Sequence, residues 1–259
     1  MSENIIYCYS GSGNCLDVAK NIARHLGDTD IVMMRSFPVK TDAREARRVG
    51  FIFPCYGGGL PGGVEEAVRA VQIAPAAYTF GIVTYAAYMG CGLATVNSIH
   101  KLDYWAGLSH HDSCIWLIPH WLTTSGVSVK AAQERAEKKT ALFAADIKMM
   151  ERKKAPPANA AFRKLSQRFE GMISEKVKEY TVSDKCIGCG LCEKLCPRGN
   201  ITMQNGRPVF GPDCIGCLSC LQYCPKEAIN VGKVTEHRSR YTNVNVKPLE
   251  LTEKIIHVD

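Results

Sequence analysis

The sequence predicts an α/β protein: a doubly wound parallel sheet of five strands, followed by a small α+β domain that is rich in cysteine. Short apolar runs alternate with amphipathic segments over residues 3–150, as in a parallel sheet with helices on both faces. Two matching runs of four cysteines follow near the C-terminus. We expect a sheet domain over residues 1–153, a helical linker over 154–180, a cysteine-rich domain over 181–232, and a tail over 233–259.

The elements of the sheet domain follow from its apolar patterns, taken in chain order. Apolar runs predict buried strands at residues 4–9, 30–34, 49–54, 78–84 and 112–118. Helical spacing predicts helices at residues 16–26, 64–73, 93–102 and 131–150. Pro156 and Pro157 end this region, and a further helix is expected over residues 162–180. The tail is expected to wrap back over the sheet or over the cysteine-rich domain.

Three loops of small residues follow the first, third and fourth predicted strands, so they meet at one edge of the sheet. The first loop is Ser10-Gly11-Ser12-Gly13-Asn14-Cys15. The second contains Pro54, Cys55, Tyr56, Gly57 and Gly58, and the third contains Thr84, Tyr85, Ala86, Tyr88, Gly90, Cys91 and Gly92. Because the first loop opens a helix, its backbone N–H groups and the helix dipole favour an anion such as phosphate. The glycines of the other loops would let the backbone approach a flat ring, on which Tyr56 could stack.

The first loop does not fit the dinucleotide fingerprint G-x-G-x-x-G, because Leu16 stands at the third glycine position. It resembles instead the phosphate loop of flavodoxins, Ser/Thr-x-Thr/Ser-Gly-x-Thr/Ser, with Cys15 in place of the last hydroxyl. A thiol is a weak donor, so this change predicts a loss on the order of 1 kcal/mol in phosphate binding. Over residues 3–150 the flavodoxin resemblance implies the strand order 2-1-3-4-5 and FMN bound by the three loops. The alternative is a flavodoxin-like fold with an empty or repurposed pocket.

The cysteine-rich domain contains the pattern C-x2-C-x2-C-x3-C-P twice. This is the spacing of bacterial ferredoxins with two [4Fe–4S] clusters, in which the last cysteine of each run ligates the other cluster. One cluster would be held by Cys186, Cys189, Cys192 and Cys224, and the other by Cys196, Cys214, Cys217 and Cys220. Zinc is the alternative, but tetrahedral zinc does not explain a third cysteine at this spacing followed by Cys-Pro, twice. Residues 181–232 resemble the two-cluster ferredoxins of anaerobes, and the whole chain resembles the flavodoxin-fused two-cluster ferredoxins of anaerobic prokaryotes.

The composition indicates which partners and which compartment to expect. The net charge of +7 suggests nucleic-acid binding, but thiolate-ligated clusters and a flavin phosphate would offset most of it. We therefore expect no nucleic-acid partner. The chain has no run of about eighteen apolar residues, which predicts no membrane span, and no secretory signal is expected. Thirteen cysteines predict a reducing cytoplasm, that of an anaerobe.

Together these features predict an iron–sulfur flavoprotein that transfers electrons between FMN and two [4Fe–4S] clusters. Its partner would be a redox protein such as a ferredoxin, a reductase or an acceptor enzyme. A homodimer would be needed if the flavin faced away from its own clusters. One alternative is a flavin-dependent reductase of a small organic substrate, with His110, His111 or Tyr88 as candidate proton donors; another is a structural or sensory role. The loop thiols of Cys15, Cys55 and Cys91 could tune the flavin, react with a substrate or ligate an extra metal; the alternative is that they simply occupy places where a small residue fits.

Overall fold

Buried strands form the framework of the protein, which we describe from a computed structural model over residues 2–35, 40–111, 113–116, 129–158 and 160–259. In chain order, the first strands are β1 (Asn4–Cys8), β2 (Thr29–Met33), β3 (Asp42–Ala43), β4 (Arg48–Pro54), β5 (Gln72–Ile73), β6 (Tyr78–Tyr85) and β7 (Tyr104–Ser109). Strands β2, β1, β4, β6 and β7 are neighbours in one sheet, and each pair is parallel. The short strands β3 and β5 pair with each other.

Helices cover both faces of this sheet. They are α1 (Asn14–Leu26), α2 (Val64–Ala70), α3 (Gly92–Ile99) and α4 (Val129–Lys148), and the linker helix α5 (Ala160–Lys176) follows. Strand β1 shows the arrangement, because alternate side chains of a strand point to opposite faces. Ile6 and Cys8 are buried with side chains of α1 and α4, whereas Ile5 and Tyr7 are buried with side chains of α2 and α3. None of the helices in the described ranges is long and apolar enough to cross a membrane.

Two antiparallel strand pairs and two short helices make up the cysteine-rich domain. They are β8 (Tyr180–Val182), α6 (Leu191–Leu195), β9 (Ile201–Gln204), β10 (Arg207–Phe210), α7 (Ser219–Gln222) and β11 (Ile229–Val231). Strand β8 pairs with β11, and β9 pairs with β10. The buried core around Leu221 and Ile229 also includes Phe169 and Ile173 of α5. The linker helix is therefore part of the core of this domain.

The C-terminal tail returns to the sheet. Its last strand, β12 (Ile255–Val258), pairs antiparallel with β2, with Ile256 opposite Ile31. Upstream of it, Val246 and Leu251 are buried in the same cluster as the apolar face of α1. The full order of the sheet is β12-β2-β1-β4-β6-β7. Among the described residues the sheet therefore has six strands rather than the predicted five, because the tail supplies one from the far end of the chain.

The fifth predicted strand was wrong. Of residues 112–118, the structure describes residues 113–116, which form irregular chain and a turn, whereas 112, 117 and 118 lie outside the described residues. The strand is instead β7, in which Tyr104, Ala106 and Leu108 are buried and the residues between them are partly exposed. Its alanine, glycine and serine residues have a weak preference for strands, and it is an edge strand. Ile115 and Trp116 are buried against the cysteine-rich domain, which explains their apolar character.

Several predicted helices end earlier than the apolar spacing suggested. Helix α2 ends at Ala70 because Val71 is extended and the next two residues form β5. Helix α3 ends at Ile99, and His100 is again extended. The linker helix ends at Lys176, after which a 3-10 turn leads into β8. The apolar pattern continues past the ends of α2 and α3 because Val71 and Leu102, in the segments that follow, are buried in the core on the same face of the sheet.

Candidate cofactor sites

A cavity of about 410 Å³, the loop cavity, lies at the edge of the sheet where β1, β4 and β6 end. A volume of this size is typical of a small-molecule or cofactor site. Most residues predicted for the flavin site line it: Ser10, Gly11, Ser12, Asn14, Cys15, Pro54, Cys55, Tyr56, Gly57, Gly58, Thr84, Tyr85, Ala86 and Tyr88. Gly13, Gly90, Cys91 and Gly92 were also predicted and lie outside its lining. The three loops therefore surround one common cavity.

The predicted residues outside the lining support the loops from behind. Gly13 precedes α1 with a φ of 98°, a left-handed conformation that favours glycine. A Cβ atom at Gly13 would lie 2.9 Å from the Asn243 Cβ and from the Tyr223 hydroxyl. Glycine therefore also permits close contact with the C-terminal tail and the cysteine-rich domain. In the third loop, the Cys91 N–H donates to the Gly58 oxygen at 2.7 Å. This bond fixes the third loop to the second.

The first loop directs its carbonyls at the cysteine-rich domain and leaves its N–H groups without protein acceptors. The Ser219 hydroxyl donates to the Gly11 oxygen at 2.8 Å, and the Tyr223 hydroxyl donates to the Ser12 oxygen at 3.0 Å. Because a trans peptide is planar, the N–H group that follows each of these carbonyls points the opposite way. Within the described ranges, no protein group accepts from the N–H groups of residues 10–13, and the Ser10 hydroxyl is buried without a partner. Unpaired donors at a helix N-terminus fit a phosphate.

The side chains of Asn14 and Cys15 brace the first loop. The Asn14 Oδ1 accepts hydrogen bonds from the Tyr241 hydroxyl at 2.7 Å and from the Asn243 amide at 3.2 Å. The Cys15 Sγ lies 3.1 Å from the Thr84 Oγ1 in a buried hydrogen bond. Burial raises the pKa of Cys15 to about 12, so its thiol stays neutral. A phosphate would therefore be held by backbone N–H groups and serine hydroxyls, while these two side chains hold the loop in shape.

The linker helix α5 closes the loop cavity over the second and third loops. Phe162 stacks on Tyr88, with ring centroids 5.1 Å apart and planes at 12°. A Cβ atom added to Gly57 would collide with the Phe169 ring, and one added to Gly59 would collide with Ser166. The side chains of α5 that line the cavity are Leu165, Arg168, Phe169 and Met172. The glycines of the second loop thus permit the close approach of helix α5. The sequence had suggested a different reason for them, the approach of a flat ring.

Replacing Gly57 by alanine is expected to destabilise the protein by about 1–3 kcal/mol. The φ of Gly57 is 54°, and the new methyl group would displace Phe169. Gly171→Ala on α5 is the matched control, because a Cβ atom there meets no atom of the described residues within 4 Å and alanine favours the helix. Thermal unfolding of both variants checks this. Equal midpoints for G57A and G171A would mean that α5 does not pack on the second loop.

His110 lies directly after β7 and lines the same cavity. Its N–H donates to the Tyr85 oxygen at 2.8 Å, and its Nδ1 accepts from the His111 N–H at 2.8 Å. The Nε2 atom therefore carries the proton of the neutral ring, and it is buried without a partner among the described residues. Burial lowers the pKa of His110 to about 4; Asp17 opposes this shift and His111 adds to it. Near neutral pH the ring is a hydrogen-bond donor and a poor source of protons.

The eight cysteines of the two runs surround two small cavities in the cysteine-rich domain. The first cysteine cavity is lined by Cys186, Cys189, Cys192 and Cys224, and the second by Cys196, Cys214, Cys217 and Cys220. Each set combines three cysteines of one run with the last cysteine of the other, which is the grouping that the spacing predicts. Within the described part of the chain, no three His, Cys, Asp or Glu side chains lie close enough to ligate one metal ion. Each set of four cysteines surrounds one cavity, as in the four-cysteine ligation of a [4Fe–4S] cluster.

Backbone N–H groups point at the sulfur atoms of these cavities. Asn200 donates to the Cys196 Sγ at 3.2 Å, Gly216 to the Cys214 Sγ at 3.4 Å, and Ala228 to the Cys224 Sγ at 3.3 Å. Such bonds stabilise thiolate and set the potential of an iron–sulfur cluster. Burial raises the pKa of Cys214 to about 11, so a bound metal would have to displace its proton. The donor set and its surroundings fit [4Fe–4S] clusters.

Cys217 lines both the loop cavity and the second cysteine cavity. Its backbone packs on the first loop: a Cβ atom added to Gly11 would lie 2.8 Å from the Cys217 oxygen. Tyr56 also lies in this contact. Its hydroxyl is close to Gly11, and its ring packs edge-on against Tyr9 at 6.2 Å. The candidate flavin site and one candidate cluster site thus share Cys217, and the adjacent Leu218 also lines both cavities.

Comparison with known proteins bears on the cysteine-rich domain. Residues 185–229 match the family model of the 4Fe-4S dicluster domain. The chain therefore contains an iron–sulfur cluster-binding domain of the kind that transfers electrons. No curated protein sequence matches the chain. Among solved structures, the NAD(P)H:quinone oxidoreductase from Methanothermobacter marburgensis matches with 10% identity and a TM-score of 0.33, over 57% of this chain and 98% of that one; a likeness this distant supports no inference about fold or function.

Sequence reasoning missed part of the lining of the loop cavity. The missed residues come from the third loop, from the segment after β7, from α5 and from the second cysteine run: Ala87, Ser113, Cys114, Leu165, Arg168, Phe169, Met172, Gly216, Cys217 and Leu218. The apolar spacing of α5 indicated packing but gave no partner. Cys217 was predicted as a metal ligand, but the spacing of the cysteines does not indicate which other domain Cys217 contacts. His111 was named only as a candidate proton donor, and it lines the cavity beside His110.

Proposed function

We propose that this chain is an iron–sulfur flavoprotein that binds FMN in the loop cavity and a [4Fe–4S] cluster in each cysteine cavity, and that it transfers electrons between them. The observation that carries this proposal is the position of Cys217, which lines both the loop cavity and the second cysteine cavity. When bound, FMN supplies one- and two-electron chemistry, and each cluster passes single electrons. The residues of the chain hold the two sites in contact and shield them from water.

The three loops and α5 divide the work of binding the flavin. The N–H groups of the first loop and the Ser10 hydroxyl hold the phosphate. The second and third loops form the walls for the ring system, and the Tyr56 hydroxyl and the Cys217 oxygen both lie beside Gly11 of the first loop. Helix α5 covers the cavity and is also packed in the core of the cysteine-rich domain. One helix thus ties the flavin site to the cluster sites.

The contacts support transfer within one chain. The first loop is hydrogen-bonded to Ser219 and Tyr223 of its own cysteine-rich domain. No second copy of the chain is therefore needed to complete the path from flavin to clusters. The first cysteine cavity is nearer the surface, since Cys189 is exposed and the side chain of Ile187 is 61% exposed. We assign the flavin and the second cysteine cavity to the buried part of the path. The first cysteine cavity is then the exit to a redox protein partner.

The test is anaerobic purification with quantification of iron, sulfide and flavin, followed by stepwise reduction. We expect about eight irons and one FMN per chain, and a reductive titration in which flavin and clusters exchange electrons. Zinc in place of iron, or cofactor-loaded protein whose clusters cannot be reduced through the flavin, would remove the proposal. Turnover of small organic acceptors without any protein partner would favour the flavin-dependent reductase instead.

A further inference from the structure

Besides the donors of the first loop, a histidine in the loop cavity carries an N–H that has no acceptor among the described residues. The side chain of His110 is 7% exposed, and its Nε2 atom has no acceptor among the described residues. The tautomer is fixed, because the Nδ1 atom accepts from the His111 N–H at 2.8 Å. Burying an N–H group without an acceptor costs on the order of 1–3 kcal/mol, so such a group in a cavity indicates a ligand that accepts from it.

The position of His110 connects this donor to the first loop. The oxygen of the adjacent His111 accepts from the Asn14 side chain at 3.4 Å, and Asp17 in the first turn of α1 is close enough to influence the charge of His110. The first loop also lacks a hydroxyl at its last position, because Cys15 stands there, and the thiol of Cys15 is hydrogen-bonded to Thr84. The loop is therefore short of one side-chain donor, and His110 lines the same cavity.

We infer that His110 is a phosphate-binding residue, whose Nε2–H donates to the phosphate of the bound flavin nucleotide; this rests on the proposed function. The ligand class is a phosphorylated flavin, as opposed to free riboflavin. Arg168 is the one cation among the described residues of the cavity lining, and it comes from α5, which covers the second and third loops. A neutral N–H to a charged phosphate oxygen is a charge-assisted bond, which is stronger than a bond between neutral groups.

The test compares the binding of FMN and riboflavin to cluster-loaded protein from which the flavin has been released. For H110L we expect FMN binding to weaken by about 10-fold to 100-fold, with riboflavin binding unchanged. In H110Q an amide N–H replaces the Nε2–H, so most of the FMN affinity should return. His25→Leu is the control, because His25 lies at the exposed end of α1 and its ring contacts the Asn21 oxygen of the same helix, away from the loop cavity.

Each outcome decides between the possibilities. Equal weakening of FMN and riboflavin in H110L would place the donor at the ring or the ribityl chain and overturn the phosphate assignment, as would unchanged affinity for both. If the unaltered chain binds neither flavin, the proposed function itself fails. Cluster absorbance and circular dichroism verify that each variant is folded; H110F, which fills a similar volume, replaces H110L if that variant does not assemble.

Discussion

Cys217→Ala is expected to abolish electron transfer between flavin and clusters while FMN remains bound. The substitution removes one of the four thiols that surround the second cysteine cavity, and a [4Fe–4S] cluster needs all four ligands. It also removes the thiol of a residue that lines both this cavity and the loop cavity. We expect iron content to fall to about half, the flavin spectrum to persist, and reduced flavin to leave the remaining cluster oxidised.

Cys91→Ala is the matched control for this experiment. Cys91 is a buried cysteine that lines neither the loop cavity nor either cysteine cavity. The iron content of the C91A protein and its rate of electron transfer from flavin to clusters should equal those of the unaltered chain. A C217A protein with full iron content and unimpaired transfer would show that the path does not run through this residue.

The second large effect is expected from alanine at Gly13, which should abolish tight FMN binding. Gly13 has a φ of 98°, and a new Cβ atom would lie 2.9 Å from the Asn243 Cβ and the Tyr223 hydroxyl. The strain costs about 1–3 kcal/mol, and relief requires a shift of the loop whose N–H groups hold the phosphate. Since several of these hydrogen bonds would be lost together, we expect FMN affinity to fall by about 100-fold or more.

Gly27→Ala separates backbone strain from the contacts of the loop. Gly27 lies at the other end of the same helix with a φ of 73°, and a Cβ atom there meets no atom of the described residues within 4 Å. Both variants should lose stability in thermal unfolding, but only G13A should lose FMN, as measured by fluorescence titration. Similar FMN affinities in the two variants would mean that the first loop is not the phosphate site.

The features of the sites that were predictable depend on short stretches of sequence. The grouping of the eight cysteines follows from the spacing within each run, and the structure gathers the same two sets around two cavities. The three loops were found because each follows an apolar strand, and parallel strands end at a common edge. Cys15 was predicted as a weak donor to the phosphate, and the structure gives its thiol another contact. The Cys15 thiol is hydrogen-bonded to the Thr84 hydroxyl and so helps to hold the first loop in shape.

The features that were not predictable arise from contacts between distant segments. Nothing in the pattern of Ile255–Val258 shows that it will pair with β2, because an exposed strand edge accepts many partners. The closeness of Cys217 to Gly11 depends on how the cysteine-rich domain docks, and no sequence period reports that. Strand β7 was missed because an edge strand with small residues has little apolar signal. In each case the missing information was tertiary packing.

The most direct test of transfer within one chain is the rate at which electrons move from flavin to clusters after flash photoreduction. The rate is measured at several protein concentrations, with the state of association determined by sedimentation. We expect the same rate at every concentration, including those at which the chain is a monomer. A rate that rises in proportion to concentration would show that electrons pass between chains, and clusters that stay oxidised beside a reduced flavin would show that no such path exists.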